Sequence, residues 1–238
     1  MNMLMLSVDS SATPASVCLL EDGKILADYY LNTGLTHSQT LMAMVESVLK
    51  ISGKEVSDID AYAVNNGPGS FTGVRIGVSA IKGMAFAADK PCIAVSTPES
   101  MAYLFVGQSA YICACMDARR NQVYNALFHV RCDVVERICD DRAISIADLL
   151  TELNALDREV ILVGDGAHLV FKATDDSSIR LAPEHLRYQR ASAVAFAALE
   201  KYNRGEQITS AALMPGYLRL SQAERERNAK LSEKDGLS

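Results

Sequence analysis

Residues 65–88 read NNGPGSFTGVRIGVSAIKGMAFAA, and the reading of this stretch decides the fold. Three glycines and a proline, Gly67, Pro68, Gly69 and Gly73, separate the apolar run Ile59–Val64 from a long run rich in small residues. A glycine turn after a strand and before a helix fits two chemistries. Free N–H groups and the positive dipole end of a helix attract phosphate. Alternatively, glycines let two pieces of chain approach closely. The Lys-Ser/Thr pair that completes a P-loop is absent, and Gly-x-Gly-x-x-x-Gly misses the dinucleotide spacing by one residue. Ser70 and Thr72 stand where a helix cap is expected.

Plotted at about 100° per residue, Gly73–Ala88 has more than one apolar face. Val74, Gly77, Val78, Ile81, Met84, Ala85 and Ala88 form the first. Arg75, Ser79, Lys82 and Phe86 form a stripe that is polar for most of its length. Ile76, Ala80, Gly83 and Ala87 form a further face of mostly small residues. A surface helix usually has one apolar stripe. The preceding helix, Gln39–Lys50, is also apolar around much of its girth, through Leu41, Met42, Met44, Val45, Val48 and Leu49. Together the two have more apolar surface than one sheet covers, which points to an intermolecular helix bundle. The expected interface residues are Leu41, Met42, Val45, Leu49, Ile76, Ala80, Gly83 and Ala87. The glycine turn Gly67, Pro68, Gly69, Ser70 and Gly73 then serves to seat the helix.

Outward from this stretch the chain alternates. Met3–Val8, Ala15–Leu20 and Ile25–Leu31 read as strands, the last two joined at Asp22-Gly23. Thr36-His37-Ser38-Gln39 has the spacing of a capping box. Cys92–Val95 reads as another strand. The pattern then restarts with Tyr111–Met116, Gln122–Val130 and Val134–Ile138 as strands. Ile146–Leu156 reads as a helix, Val160–Val163 as a strand, and Ala191–Tyr202 as a helix. Both halves open with a strand ending in Asp (Asp9, Asp117), followed by a polar turn and two more strands. The architecture implied is a duplicated α/β fold. It divides into lobes 1–106 and 107–220, with a charged tail at 221–238.

The 238 residues are 49% apolar and 22% charged, with a net charge of −6 and no basic run. Phosphate contacts supply most nucleic-acid affinity, so this chain is a poor primary nucleic-acid binder. No apolar run approaches the ~20 residues that span a bilayer, and the N-terminus lacks the basic region of a secretion signal, so a cytoplasmic location is expected. Six cysteines without a Cys-x-x-Cys pair read as reduced core residues. His37, His129, His168 and His185 are scattered, with no i, i+4 metal pair. Asp9 and Ser10, with Asp117, fit either a metal–nucleotide site or turns capped by their own side chains. A small enzyme that hydrolyses ATP or transfers phosphoryl groups with Asp9 and the glycine turn is the alternative to an accessory subunit.

NNGPGSFTGVRIGVSAIKGMAFAADKP resembles the signature of the TsaB (YeaZ) family. LMLSVDSSATPASVCLLEDGKIL, THSQTLMAMV, MDARRNQVYNALF, VGDGAHL and PGYLRL follow the family's order along nearly the whole chain. The resemblance implies an actin-like, ASKHA-type fold of two similar lobes. It implies an accessory, non-catalytic role in making threonylcarbamoyladenosine beside the anticodon of tRNAs that read codons starting with A. The implied partners are the transferase TsaD, in a heterodimer, and the ATPase TsaE in a larger complex. A homodimer is implied when the chain is alone, tRNA is contacted only indirectly, and no membrane is involved. No cofactor of its own is implied; ATP or ADP at the complex interface stays open. The resemblance also places Thr97 and Met101 of IAVSTPESM where TsaD carries a His-x-x-x-His metal pair.

Overall fold

The computed structural model describes residues 3–218; the expected charged tail at 221–238 lies outside them. The first sheet runs β3-β2-β1-β4-β5, formed by β1 (Leu4–Asp9), β2 (Ala15–Glu21), β3 (Lys24–Leu31), β4 (Ala61–Gly67) and β5 (Cys92–Ser96). β1 is buried at every residue, as a central strand covered on both faces must be. It pairs antiparallel with β2 from Leu4↔Glu21 to Asp9↔Ser16, and parallel with β4 from Met5↔Ala61 to Val8↔Val64. The β2–β3 hairpin turns on Asp22 and Gly23, both at positive φ (48° and 80°), which a two-residue turn matching the sheet twist requires.

α1 (His37–Ser52) connects β3 to β4 and stops at Gly53, whose left-handed backbone donates its N–H to Leu49 and Lys50 carbonyls. Thr36 occupies the N-cap position of α1 without a side-chain cap bond, so the expected capping box does not form. The Thr36 carbonyl accepts from Gln39 N instead. α2 (Phe71–Ala88) starts two residues before the expected Gly73, because the Ser70 hydroxyl accepts the Gly73 N–H and caps the first turn.

The second sheet repeats this wiring. β6 (Gln108–Asp117), β7 (Gln122–Cys132), β8 (Val134–Arg137), β10 (Val160–Val163) and β11 (Ile179–Leu181) run in the order β11-β10-β6-β7-β8. β9 (Arg142–Ser145) adds to β7. The antiparallel β6–β7 and β7–β8 pairs and the parallel β6–β10 and β10–β11 pairs correspond strand for strand to the first sheet. This duplicated α/β arrangement is the actin-like, ASKHA-type fold.

The sheets separate near residue 106, but the helices do not respect that boundary. α3 (Thr97–Ala102) sends Met101 and Ala102 into the second lobe's core beside Ile112, Ala114 and Phe128. α7 (Ala191–Asn203) returns to the first sheet, packing Ala191, Val194, Ala195 and Ala198 on Met5, Cys18, Ala63 and Ile93. Assigning all of 107–220 to the second lobe is therefore corrected: apolar faces of α7 and α3 are covered by the opposite sheet. α4 (Ile146–Ala155) and α5 (Ala167–Phe171) cover the outer face of the second sheet, and α6 (Glu184–Arg187) precedes α7. Of the cysteines, Cys18, Cys92, Cys113 and Cys115 are free and buried, whereas Cys132 is exposed and Cys139 half-buried. The core assignment fails for Cys132 because it sits at positive φ (53°) where β7 turns into β8.

Candidate partner interface

The glycine stretch is a set of close approaches within the chain. The turn after β1 lies directly on it: Ser70 N donates to the Ser11 carbonyl at 2.7 Å, and the Ser10 hydroxyl donates to the Gly73 carbonyl at 2.8 Å. A Cβ at Gly69 would collide with the Ser11 carbonyl oxygen, and one at Gly73 with that of Ser10. Gly67, at φ 122°, approaches Gly216, where a Cβ would stand 2.5 Å from the carbonyl oxygen. Gly216 N donates to Asn66 O at 2.7 Å, so residues 208–217 strap back over the first lobe.

That strap accounts for the cations on α2. Lys82 Nζ donates to the carbonyls of Ala211 (3.1 Å) and Leu213 (3.2 Å). Arg75 Nε donates to Tyr217 Oη at 2.6 Å, while its guanidinium carbon sits 3.8 Å above the Phe71 ring. Phe71 and Tyr217 stack with centroids 4.9 Å apart. Sequence reasoning missed this clasp because 142 residues separate Arg75 from Tyr217. The available signal was a cation pair on a helix with no acid to meet it.

The eight expected interface residues fall into two groups. Leu41, Val45 and Leu49 are 1%, 3% and 7% exposed and belong to the first lobe's core with Val8, Leu19 and Ile81. Their assignment to a surface is corrected: they form the inward stripe of α1, and Met42 lies on the outward side. On α2, Ile76 and Ala80 are half-buried against the lobe's own core, while Gly83 and Ala87 are exposed. A Cβ at Gly83 would meet nothing within 4 Å. The open face also takes in Thr72 and Ser79, and Phe86 at 77% exposure. It is therefore rotated toward the supposed polar stripe. Covering the Phe86 ring would contribute about 2 kcal/mol at the usual apolar transfer value.

The second candidate region is the junction of the lobes. Asp9 is 1% exposed and Ser10 equally buried. Asp9 Oδ1 accepts from Ser11 N at 2.7 Å, the self-capping turn of a strand-end Asp. Burial pushes the Asp9 carboxyl above the usual carboxylate range. Asp117 instead accepts from Arg119 N (2.7 Å) and pairs with the Arg119 guanidinium (2.9 Å). Asp165, beyond the end of β10, is pushed up to about 6 by burial, although the Asp117 N–H donates to it. The residues do not fit a phosphate at the start of α2, since the Ser10 and Ser11 carbonyls already rest against the glycines there.

Comparison with known proteins places this geometry. A family model described as TsaD, tRNA N6-adenosine threonylcarbamoyltransferase, matches residues 32–227. The chain is 33% identical over 227 residues to the tRNA threonylcarbamoyladenosine biosynthesis protein TsaB of Bacillus subtilis, covering 93% of this chain and 96% of that protein. This chain belongs to the TsaB family. TsaB of Escherichia coli is similar at 30% identity, over 91% of this chain and 95% of its own length. A solved structure from Pseudomonas aeruginosa, described as an uncharacterized protein with similarity to peptidase YeaZ, superposes with a TM-score of 0.80 at 26% identity. It covers 91% of this chain and 100% of that one.

In this TsaB-family chain, Thr97 and Met101 are both fully buried at the start and end of α3. The Met101 thioether packs in the second lobe's core. A hydroxyl and a thioether are poor ligands for a hard or borderline metal. Among the described residues, no helix is long and apolar enough to cross a membrane.

Proposed function

We propose that this chain is a non-catalytic subunit in the synthesis of threonylcarbamoyladenosine in tRNA. It docks on a TsaD-type transferase through α1 and α2, activates it, and touches tRNA only through its partners, with TsaE acting on the larger assembly. Family membership supports the pathway. The observation that carries the docking role is the open face of α2. Gly83 has free space at its Cβ position and Phe86 is 77% exposed, on a helix whose other sides are taken by the lobe's core and the 208–217 strap. A face of small residues with an exposed aromatic suits close helix approach. The match of the TsaD model to most of this chain supports equivalent helices in the partner, which would pair with these as a pseudo-symmetric bundle.

Burial of Thr97 and Met101 where the transferase carries its metal-binding histidines supports a role without catalysis of its own. The burial of Asp9 and the occupied N-terminus of α2 weigh against the alternative of an ATP-hydrolysing or phosphoryl-transfer enzyme. Nucleotide at the boundary between subunits is compatible with the same docking. The test is reconstitution. The purified chain alone should leave tRNA unmodified, and adding it to TsaD and TsaE with threonylcarbamoyl-adenylate should raise modification well above TsaD and TsaE alone. Asp9-dependent ATP turnover by the isolated chain would overturn the reading.

A further inference from the structure

We infer that the cleft at the outer end of the second sheet, between the start of β6 and the turn before β10, is a binding site for a small aromatic phosphate monoester. The inference stands on the second lobe alone and does not depend on the docking reading above.

β6, β10 and β11 run parallel. Their C-terminal ends carry Asp117 and Asp165 to the lobe junction, so their N-terminal ends lie at the opposite edge of the sheet. At that edge Ser109, Tyr111, His129, Arg158, Glu159 and Arg180 line a cleft of about 190 Å³. Register brings the rings together. Tyr111 and His129 are direct partners across the antiparallel β6–β7 pair, and they stack with centroids 4.2 Å apart and planes 3° from parallel. Register also brings the cations. Val160 pairs with both Tyr111 and Ile179, so Arg158, two residues ahead of it, and Arg180, next to Ile179, arrive at the same edge.

One acid stands against two arginines. Glu159 pairs with Arg180 at 3.2 Å, but both side chains are largely exposed (71% and 60%), so the pair holds weakly and yields to a ligand. Arg158 is exposed, and among the described residues no carboxylate pairs with it. Asp175 and Asp176 line a neighbouring hollow that shares Arg180, which makes Arg158 the principal anchor and Arg180 the second. In a chain of net charge −6 this edge is a local patch of opposite sign.

The donors choose the ligand. Two guanidiniums, the Ser109 and Tyr111 hydroxyls and a His129 ring nitrogen exceed what the two oxygens of a carboxylate can accept. The three terminal oxygens of a phosphate monoester match them better, and its second charge answers the second arginine. The stacked rings add a planar apolar wall, against which an aromatic substituent packs. Volume limits the size. The cleft is smaller than the ~300 Å³ at which drug-sized ligands begin, which leaves room for a phosphate and one ring.

The experiment titrates the full chain by calorimetry, at low salt in an amine buffer, with phenyl phosphate, inorganic phosphate and benzoate. Phenyl phosphate should bind with a Kd of about 1 mM or tighter. Inorganic phosphate, which lacks the ring, and benzoate, which lacks the third oxygen and second charge, should each bind about tenfold more weakly. Arg158→Ala should weaken phenyl phosphate about tenfold or more, Arg180→Ala about fivefold and Ser109→Ala about threefold. These exposed positions should leave the thermal midpoint of the free chain within about 2 °C of the parent. Arg204→Ala, at an exposed arginine paired with Glu206, is the control and should leave the affinity unchanged. Benzoate or inorganic phosphate bound as tightly as phenyl phosphate would overturn the ligand class. No saturable binding, or an affinity untouched by both Arg158→Ala and Arg180→Ala, would overturn the site.

Discussion

Alanine substitutions at three glycines on α2 should give three different results, and their order tests the close-approach reading of the glycine stretch. Helix propensity alone predicts that each change stabilises, since Gly costs about 1 kcal/mol relative to Ala in a helix interior. At Gly83 nothing lies within 4 Å of the added methyl, so the propensity gain should survive. Gly83→Ala should raise the thermal midpoint by about 2–4 °C, at ~2–4 °C per kcal/mol for a chain of this size. At Gly77 the methyl would stand 2.6 Å from the Ser10 hydroxyl, which can rotate away only by giving up its bond to the Gly73 carbonyl. That loss of about 1 kcal/mol cancels the gain. At Gly73 the methyl meets the Ser10 backbone carbonyl, which is fixed by the turn whose Ser11 carbonyl bonds Ser70 N. Overpacking there costs about 1–3 kcal/mol, and the Ser10–Gly73 bond goes with it. The net is a loss of about 2 kcal/mol and a fall of about 4–8 °C. Circular dichroism at 222 nm during heating, checked by urea midpoints, reads all three. Gly73→Ala at or above the parent midpoint would refute the argument, because the β1–β2 turn would then not rest on α2.

Ser70→Ala removes the hydroxyl that caps α2 through the Gly73 N–H and should cost about 1 kcal/mol in urea unfolding, without changing partner affinity. Asp165 titrates near 6 in the folded chain, above its unfolded value of 3.8, so the folded state holds the extra proton between these limits. Stability should therefore fall as pH rises from about 4 to 6, by on the order of 3 kcal/mol. Asp165→Asn, which keeps an acceptor for the Asp117 N–H, should remove that slope in urea titrations at stepped pH; an unaltered slope would locate it elsewhere.

The sequence makes the sheets legible because their central strands are largely apolar, largely buried runs of strand length, as β1 and β7 are. It hides β9 and β11, which have four and three residues and no period to read. The open face of α2 is half legible. A helical wheel identifies that α2 has apolar surface to spare, yet it cannot say which side the chain itself covers. Ile76 and Ala80 go to the lobe's own core, and Leu41, Val45 and Leu49 on α1 go there fully. Phe86 looked like part of a polar stripe because Arg75, Ser79 and Lys82 share its angle. Only the return of residues 208–217 explains that stripe, through contacts that span more than a hundred positions.

The duplication extends to the close approaches, and this separates what the fold requires from what the function requires. In the first lobe, glycines after β4 receive the turn that follows β1. In the second, Gly164 and Gly166 after β10 receive the end of β6: Gly164 rests on the Cys115 carbonyl, and a Cβ at Gly166 would stand 2.7 Å from the Met116 carbonyl carbon and 2.8 Å from Asp117 N. Equivalent strands are thus locked by equivalent glycines in both lobes, so the glycines belong to the architecture and need no ligand to explain them. What differs is the helix that follows. α5 runs five residues, whereas α2 runs eighteen and carries Gly83 and Phe86 on its exposed side. The extra turns of α2 bury Val78, Ile81 and Ala85 in the first lobe's core, but the apolar surface they leave exposed at Phe86 is a cost in water unless something outside the chain covers it.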